Sequence, residues 1–472
     1  MPDTKPKPAR KRLSVLDSIF LFAESRDSMM HVGGLYEFAL PADAPKDFFR
    51  TLMDEVRQCV DIQPPWNQKL SHPNLLKHPR QSWVAVDSIE IDYHVRRSAL
   101  PYPGDERELG ILVSRLHSNP LDFSRPLWEF HFIEGLEGGR YAVYWKFHHA
   151  LVDGYTALRL LERGLSPTAD IKTPFIFDLQ PLDQPPPEQI AQGALKKLKN
   201  LLTDVETQWN TTKSLTKAIA KLGTPKAKRG QVISSFEAPN CILNRPTSHG
   251  RRFTTQQFSM PTLKAMAKAA GCKLNDIVMA LSAGGLRKYL LDIDALPDKP
   301  LIAFVPVNIR PAGDPGGGNQ VGAMLASLAT HIADPQERLA AIIESTRSAK
   351  LQLEGMTAPA ILAYSGLLLS PLGIQTLRAL AGNESQLPIT ANLVISNVMG
   401  PTEPRYFRGG RLQAVYPVSI ATHGMALNIT CESYADTMNF GFIGCRETLP
   451  HLQKLAVYTG EAGAELEALL LR

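Results

Sequence analysis

The segment from Tyr141 to Tyr155, which reads YAVYWKFHHALVDGY, constrains the fold of this chain more than any other. Residues 141–147 are aromatic and β-branched, which is typical of a buried strand. Asp153 and Gly154 form a turn dipeptide, and an apolar run with helical spacing follows them. The pattern therefore predicts that His148 and His149 lie on a turn between a strand and a helix.

The two adjacent histidines are expected to have different roles. Successive side chains leaving an extended segment point to opposite sides, so only one imidazole faces a given cavity. An unperturbed histidine, with a pKa of about 6.5, is largely neutral near pH 7 and accepts a proton there. We predict that His149 is a general base and that His148 supports it. The alternative is a pair of core-edge histidines that precede a turn by chance.

Chain length and breaker residues predict two α/β domains joined by a linker. A chain of 472 residues is too long to fold around a single hydrophobic core. Its composition, 44% apolar and 21% charged, is typical of a globular protein. Strands and helices alternate in residues 13–180, which form the first predicted domain, and again in residues 241–472, which form the second. Residues 181–240 are first rich in proline and then basic and amphipathic, so they are predicted to be a linker.

Several elements are predicted from periodicity and capping residues. A helix is expected over residues 276–291, with Asn275 as its N-cap and Asp276 interacting favourably with its dipole. The alternative is that both residues order a loop that faces the active site. The other predicted elements are helices at 47–60, 106–116 and 262–271 and strands at 31–38, 129–133, 301–307, 391–396, 427–434 and 438–445.

Cysteine usage and the N-terminal sequence favour a cytoplasmic protein. The five cysteines are far apart and include no Cys-x-x-Cys pair, which argues against a disulfide framework or a zinc site. The first twelve residues are rich in lysine, arginine and proline and have no apolar core, so no signal peptide is predicted.

Two basic clusters favour a lipid surface over nucleic acid as a partner. One comprises Lys5, Lys7, Arg10, Lys11 and Arg12, and the other lies in residues 190–229. Neither contains interleaved aromatic residues or a recognisable nucleic-acid-binding module. Peripheral contact with a membrane or lipid droplet is therefore expected. A solvated helical face is the alternative.

Residues 355–377 contain no charged side chain, but prolines and glycines interrupt them. We predict helices that line an apolar tunnel or contact lipid, rather than a membrane span. Small residues such as Gly355 and Ala360 would leave room for an alkyl chain. Plain core packing is the alternative.

Six motifs in order resemble the bacterial wax ester synthase/diacylglycerol acyltransferase family, which shares the HHxxxDG signature with a wider acyltransferase superfamily. The motifs are Pro126-Leu127-Trp128, His148 to Gly154, Asn275-Asp276, Val305 to Arg310, Asn319-Gln320 and Ser396 to Pro401. The resemblance implies an α/β, two-domain, chloramphenicol-acetyltransferase-like fold with mixed sheets and a central tunnel between the domains.

The resemblance also implies the reaction. The donor would be fatty acyl-CoA, which is a substrate, so no cofactor is expected. The acceptor would be a long-chain alcohol, giving wax esters, or diacylglycerol, giving triacylglycerol, and no acyl-enzyme would form. Asp153 would be structural and pair with Arg310, whereas Asn308 departs from the smaller polar residue that the family often has there.

Most of the remaining site residues follow from the same resemblance, whereas Gly355 and Ala360 follow from the small size of their side chains. Gly154 completes the histidine motif, and Pro126, Trp128 and Asp276 are expected to be structural. Ser396 and Asn397, predicted to form a turn at a strand end, would approach the CoA arm or the transition state, with a ligand-free turn as the alternative. Asn275, Gly355 and Ala360 complete the predicted substrate-binding set.

Other functions remain open at this point. One alternative is an acyltransferase of the same superfamily whose donor is a carrier-protein thioester. Another alternative, of a different class, is a non-catalytic protein that binds lipid or coats lipid droplets. A metal hydrolase is disfavoured because adjacent histidines do not easily share one metal and no third ligand is evident.

Overall fold

The structure is a computed structural model that describes residues 10–41, 43–59, 61–75, 77–152, 154–179, 233, 237–308, 321–354, 356–357, 360–361, 364–368 and 389–471. The chain divides into two compact units. The first comprises Met1–Leu182 and Gly400–Ile420, and the second comprises Asp183–Met399 and Ala421–Arg472. Most of the predicted linker, 181–240, lies outside the described residues.

Strands and helices of the described residues are numbered in chain order. The strands are β1 Arg10–Arg12, β2 His31–Ala39, β3 Gln68–Leu70, β4 Ser82–Ala85, β5 Val95–Ala99, β6 Trp128–Leu136, β7 Arg140–His148, β8 Arg251–Ser259, β9 Ile302–Asn308, β10 Val321–Ser327, β11 Leu393–Met399, β12 Tyr406–Phe407, β13 Gly410–Val418, β14 Leu427–Tyr434 and β15 Thr437–Cys445. The helices are α1 Val15–Ala23, α2 Phe48–Arg57, α3 Ile91–His94, α4 Glu106–His117, α5 Gly154–Gly164, α6 Met260–Ala269, α7 Leu274–Asp292, α8 Pro335–Leu353 and α9 Gln453–Leu470.

A six-stranded sheet organises the first unit, with the order β12-β13-β2-β7-β6-β5. Its strands pair antiparallel except β5 with β6, and a small sheet β1-β4-β3 accompanies it. Strands β2 and β7 approach each other closely at Gly33. A Cβ at this position would lie only 2.4 Å from the carbonyl oxygen of Trp145. Gly33 thus allows the central pairing.

Both faces of β7 are buried, which explains its nearly continuous aromatic sequence. On one face Trp145 and Phe147 pack against Trp66. On the other face Tyr144 and Lys146 are fully buried and meet polar partners from neighbouring elements. The strand that precedes the two histidines therefore has an apolar side and a polar side.

The hairpin β12-β13 corrects the predicted domain limits. Residues 400–420 were assigned to the second domain, 241–472, but β13 pairs antiparallel with β2 of the first unit. The guanidinium of Arg408 lies 3.2 Å from the carboxylate of Glu55, contacts the carbonyl oxygen of Thr173 and covers the ring of Phe175 at 4.4 Å. Strand pairing between distant segments is not marked by local sequence, which explains the error.

The second unit has its own six-stranded sheet, with the order β10-β9-β11-β14-β15-β8. Strand β11 is parallel to both β9 and β14, and the other pairs are antiparallel. Helices α7 and α9 pack closely at Gly285. A Cβ at this position would lie only 2.2 Å from the hydroxyl oxygen of Thr459. A large apolar core joins these helices to the sheet.

Most predicted elements are confirmed, including β2, β7 and the hairpin β14-β15. The N-cap prediction for Asn275 is wrong. Helix α7 begins at Leu274 and its cap is Lys273, so Asn275 lies inside the first turn. The carboxylate of Asp276 accepts the backbone N–H of Lys273 at 3.0 Å, and it thereby satisfies the helix start from within.

We predict that Arg408→Ala destabilises the first unit by about 2–3 kcal/mol, because it leaves the carboxylate of Glu55 without this partner and removes packing from Phe175. Urea denaturation followed by far-ultraviolet circular dichroism measures the change. Arg347→Ala, which removes an exposed ion pair with Glu344, is the control and is expected to cost less than about 1 kcal/mol. Equal effects of the two substitutions would contradict the stabilising role of the Arg408 contacts with Glu55 and Phe175.

Candidate active site

The two histidines lie at the C-terminal end of β7, where three successive backbone amides are fixed. The N–H of His148 donates to the carbonyl oxygen of Leu127 at 2.9 Å. The N–H of His149 donates to the carbonyl oxygen of Met30 at 3.0 Å. The N–H of Ala150 donates to Nδ1 of His148 at 3.0 Å. The turn is therefore held by the residues that directly precede β2 and β6 and by the ring of its own His148.

The Pro126-Leu127-Trp128 motif supports this turn from the apolar face. Leu127 supplies the acceptor for His148, and its side chain is fully buried. The indole N–H of Trp128 donates to the carbonyl oxygen of Trp66 at 2.7 Å, and its ring stacks on His94. The structure thus places Pro126 just before β6 and Trp128 at its first position, opposite Phe147 of β7.

His148 is buried and bonded at a ring nitrogen, as a supporting residue requires. Because Nδ1 accepts the N–H of Ala150, the neutral ring must carry its proton on Nε2. That nitrogen lies 3.5 Å from a carboxylate oxygen of Glu24. The same oxygen accepts the backbone N–H of Met30, the residue whose carbonyl holds His149. Glu24 therefore connects both histidines.

His149 is in a different environment from its neighbour. Its imidazole stacks on the ring of Phe20, with ring centroids 4.0 Å apart and an interplanar angle of 19°. The residue is half-buried, whereas His148 is only 1% exposed. One histidine is enclosed by the fold, and the other lies partly open against the inner side of α1.

A cluster of charged and polar side chains lies on the polar face of β7. Its centre is Lys146, two residues before His148. The ammonium group of Lys146 is 3.1 Å from the carboxylate of Glu129 and donates to the carbonyl oxygens of Leu116 and Asn119 at 3.1 and 2.9 Å. His131 lies 3.4 Å from the same carboxylate. Lys146 thereby finds three acceptors although it is fully buried.

The pKa of Glu129 reflects this surrounding. Burial alone would raise the pKa of this carboxyl group, but the hydrogen bond from His131 and the positive charges of Lys146 and Arg96 outweigh burial and lower it to about 2. Glu129 is therefore ionised throughout the physiological range. Its negative charge pairs with the ammonium group of Lys146, which would destabilise the fold if it were buried without a counter-charge.

His31, the cross-strand neighbour of His148, belongs to the same face. Its Nε2 donates to the carbonyl oxygen of His117 at 2.9 Å, and His117 Nδ1 lies 2.8 Å from the hydroxyl oxygen of Tyr144. Burial, together with nearby positive charge, lowers the pKa of His31 well below its usual value. His31 is thus a neutral, structural histidine.

The second unit contains the other predicted residues that the structure describes. Asp276 is buried, and besides the N–H of Lys273 it accepts the hydroxyl of Thr346 at 2.7 Å. Asn275 is partly buried in the first turn of α7. Ala360 is fully buried in a helical segment. These contacts do not involve a substrate, so the substrate-binding roles of Asn275 and Ala360 stay predictions.

Ser396 and Asn397 lie within β11 rather than in a turn after it, so that prediction is wrong in its local structure. The strand continues to Met399 because its backbone pairs in parallel with β14, with Asn397 opposite Cys431. The side-chain oxygen Oδ1 of Asn397 is shielded from solvent, and no group of the described residues donates to it.

Several predicted site residues lie outside the described part of the chain. Asp153, Arg310 and Gly355 are among them, so the Asp153–Arg310 pair remains a prediction. Asn308 ends β9, but its side chain is not described. Gly154 begins α5, and no described atom lies within 4 Å of a Cβ built on it.

The described residues contain no group of three or more histidine, cysteine or acidic side chains arranged to bind a metal ion. Of the helices described, none is both long enough and apolar enough to cross a bilayer.

Sequence reasoning missed three residues that contact the histidine turn: Phe20, Glu24 and Met30. They lie more than one hundred positions before His148 and His149 in the chain. No local motif marks such a contact, and only the pairing of β2 with β7 brings Met30 beside the turn. The single acidic residue at the end of the apolar helix α1 was the one available indication.

The chain matches two family models. Residues 13–278 match the wax ester synthase/diacylglycerol acyltransferase catalytic domain, and residues 317–467 match the WS/DGAT C-terminal domain. A putative diacylglycerol O-acyltransferase of Mycobacterium tuberculosis is 47% identical, with 97% of each chain covered. The O-acyltransferase WSD of Acinetobacter baylyi is 38% identical, with 95% of each chain covered.

Solved structures agree with these sequence matches. A wax ester synthase/diacylglycerol acyltransferase from Marinobacter aquaeolei VT8 is 37% identical with a TM-score of 0.77, covering 98% of this chain and 100% of that one. The first condensation domain of the calcium-dependent antibiotic synthetase has a TM-score of 0.60 at 14% identity, covering 98% of this chain and 97% of that one. The latter likeness concerns the fold alone. It confirms the predicted chloramphenicol-acetyltransferase-like class with two domains and mixed sheets.

We predict that Glu24→Gln lowers stability by about 1.5–3 kcal/mol and turnover by about tenfold, because the amide N–H₂ competes with the Nε2–H of His148 and the charge on the acceptor is lost. Urea denaturation and steady-state thiol release measure the two effects. The control is Glu134→Gln, which breaks an exposed ion pair with Arg97. Wild-type turnover in Glu24→Gln would show that Glu24 does not position the histidines.

We predict that Glu129→Gln costs about 3 kcal/mol at pH 7, since it leaves Lys146 buried without a counter-charge. The folded-state pKa of Glu129 is lowered from 4.5 to about 2, so its stabilisation is complete above pH 4.5 and is lost as the pH falls towards 2. Denaturation at pH 7 and near pH 3 should therefore show a difference from wild type that shrinks with acid.

The double variant Glu129→Gln/Lys146→Met is the control for this ion pair. Removing both charges should recover most of the stability lost in the single variant. An unchanged penalty in the double variant, or one independent of pH, would contradict the assigned charge pairing.

Proposed function

Because the chain belongs to the wax ester synthase/diacylglycerol acyltransferase family and is an acyl-CoA-dependent O-acyltransferase, we propose that His149 is the general base of a direct acyl transfer. The donor is fatty acyl-CoA, and the acceptor is a long-chain alcohol or diacylglycerol. The relatives' names, a putative diacylglycerol O-acyltransferase and a wax ester synthase/diacylglycerol acyltransferase, support these two acceptor classes.

The proposed reaction has two steps. The imidazole of His149 takes the proton of the acceptor hydroxyl while the oxygen attacks the thioester carbonyl carbon, which forms the ester C–O bond. The tetrahedral intermediate then collapses, the C–S bond breaks, and the proton passes from His149 to the CoA sulfur. No acyl-enzyme forms, and the products are an ester and free CoA. A positioned base of this kind contributes about 10²–10⁴-fold to the rate.

The contrast between the adjacent histidines is the observation that carries this proposal. His148 is enclosed, and its Nδ1 is occupied by the N–H of Ala150. His149 is half-buried, with its backbone held by Met30 and its ring oriented by Phe20. A base must be oriented yet reachable by substrate, and of the two residues only His149 combines these properties.

Residues of the second unit are proposed to contact substrate. The shielded Oδ1 of Asn397, which no described group donates to, supports a contact with an N–H or O–H group of the donor or acceptor. Ser396, Asn275, Gly355 and Ala360 complete the proposed substrate-binding set, and Asp276 is proposed to be structural because its carboxylate is bonded within the unit.

We propose a cytoplasmic protein with peripheral contact to a membrane or lipid droplet. Both proposed acceptors are apolar and partition into lipid, so an enzyme acting on them benefits from proximity to it. The N-terminal basic cluster supports attraction to anionic headgroups.

A carrier-protein thioester is the alternative donor, and the likeness to condensation domains does not decide it because it concerns shape alone. Turnover of palmitoyl-CoA is compared with that of a palmitoylated carrier protein, using hexadecanol and a diacylglycerol as acceptors. Faster transfer from CoA supports the proposal, and transfer from the carrier alone overturns the donor assignment. Lipid binding without thioester cleavage would favour a non-catalytic protein.

We predict that His149→Ala remains folded and loses at least about 10²-fold in turnover, since the base is removed while the backbone bond to Met30 is kept. Thiol release with palmitoyl-CoA and hexadecanol measures turnover, and thermal melting confirms the fold. His331→Ala, an exposed histidine of the second unit, is the control and should retain wild-type activity. A folded, fully active His149→Ala would refute the role of His149.

A further inference from the structure

The ring of Phe20 lies flat against the imidazole of His149. The ring centroids are 4.0 Å apart and the ring planes are inclined by 19°, so the two rings are stacked. The neighbouring histidine differs, because Phe123 meets His148 nearly at right angles, with centroids 5.7 Å apart and an interplanar angle of 83°. The face of an aromatic ring carries partial negative charge and its edge partial positive charge. His149 is therefore placed against the negative face of Phe20.

Helix α1, which carries Phe20, is fixed against the histidine turn at several points. The helix starts with a complete capping box. Leu21 is 2% exposed and belongs to the same apolar cluster as Ala150 of the turn. Four residues after Phe20, the carboxylate of Glu24 lies 3.5 Å from Nε2 of His148. The stack on the proposed base is therefore a contact that the fold builds, rather than a chance approach of two surface rings.

We propose that Phe20 is a positioning residue that stabilises the positively charged form of His149 during acyl transfer, and this inference rests on the proposed function. In that reaction His149 becomes an imidazolium when it takes the proton of the acceptor hydroxyl. It becomes neutral again when the proton passes to the CoA sulfur. A cation over the face of an aromatic ring, within about 6 Å of its centroid, is attracted by the ring.

The attraction acts selectively on the reacting state. It is much weaker for the neutral imidazole that is present before the reaction than for the imidazolium that accompanies the tetrahedral intermediate. An interaction that strengthens as the transition state is approached lowers the barrier, whereas one of constant strength does not. Phe20 does not touch the reacting atoms in this proposal, and it acts only through the charge on His149.

Other titratable side chains near the turn also influence the charge on His149. On the elements packed around it they are Glu24 after α1, His31 of β2, His117 of α4, Glu129 of β6, and Lys146 and His148 of β7. Asp153 follows in the same motif but lies outside the described residues. The variants of Phe20 keep all of these groups, so a changed pH dependence reports the ring at position 20.

Replacement of Phe20 by leucine removes the ring face but keeps an apolar side chain. In Phe20→Leu the midpoint of the acidic limb of the kcat/KM profile should move down by about 0.5–1 pH unit, because the imidazolium loses stabilisation. The value of kcat on the alkaline plateau should fall about 2–30-fold, with little change in the KM for palmitoyl-CoA. Thiol release with palmitoyl-CoA and hexadecanol, measured as a function of pH, gives both quantities.

Pentafluorophenylalanine in place of Phe20 separates charge from shape. It keeps nearly the same ring shape, but its fluorine atoms reverse the sign of the charge on the ring face. The acidic limb should again move down, with a melting temperature close to that of wild type. The control Phe49→Leu removes a partly buried ring that contacts Tyr141 near the start of β7, and it should leave the pH profile unchanged. A wild-type profile for the fluorinated protein would show that Phe20 only fills space and would overturn the proposal.

Nuclear magnetic resonance of the full-length protein with labelled histidine tests the stack independently of turnover. The chain has 12 histidines, and the signal missing from His149→Ala identifies His149. Its protonation midpoint should be lower by about 0.5–1 pH unit in Phe20→Leu and in the fluorinated protein than in wild type. Equal midpoints, with an inactive His149→Ala, would refute the role of Phe20 alone. A shifted midpoint with a fully active His149→Ala would refute the proposed base and leave the stabilising stack standing.

Discussion

The pairing of β7 with β2 and β6 is the constraint on which the site depends. It fixes the amides of His148, His149 and Ala150, each of which has an acceptor on a different residue. A turn held in this way leaves little freedom to the imidazole of His149, so orientation is settled by folding before any substrate binds. The close approach of β2, allowed by Gly33 opposite Trp145, is part of the same constraint.

The two sides of β7 contribute differently to this arrangement. The tryptophan-rich side supplies packing, whereas the polar side buries Lys146 with a carboxylate and two backbone carbonyl oxygens. A satisfied buried charge is stabilising only relative to a broken pair, so such a group restricts the alternative packings open to the strand. Glu24 extends the polar contacts to the turn, because its carboxylate lies near His148 and binds Met30.

Local sequence patterns were sufficient to predict most helices and strands and to find the histidine motif. The features that they missed depend mainly on contacts between residues far apart in the chain. β7 was predictable because six of the seven positions 141–147 are aromatic, apolar or β-branched, which is typical of a buried strand. The cap of α7 was not, because a carboxylate inside the helix replaced the expected Asn275. The contacts of Phe20 with His149 and of β13 with β2 join residues separated by more than one hundred positions, so no spacing in the sequence records them.

The central chemical step that we propose is direct attack of an alcohol on the thioester, with no covalent intermediate on the protein. Rapid mixing of the wild-type enzyme with palmitoyl-CoA in the absence of any acceptor measures this most directly, with thiol release and intact-protein mass followed in the same experiment. We expect no release of CoA in proportion to enzyme and no palmitoylated protein. A burst of CoA equal to the enzyme concentration, with the protein heavier by one palmitoyl group, would contradict it.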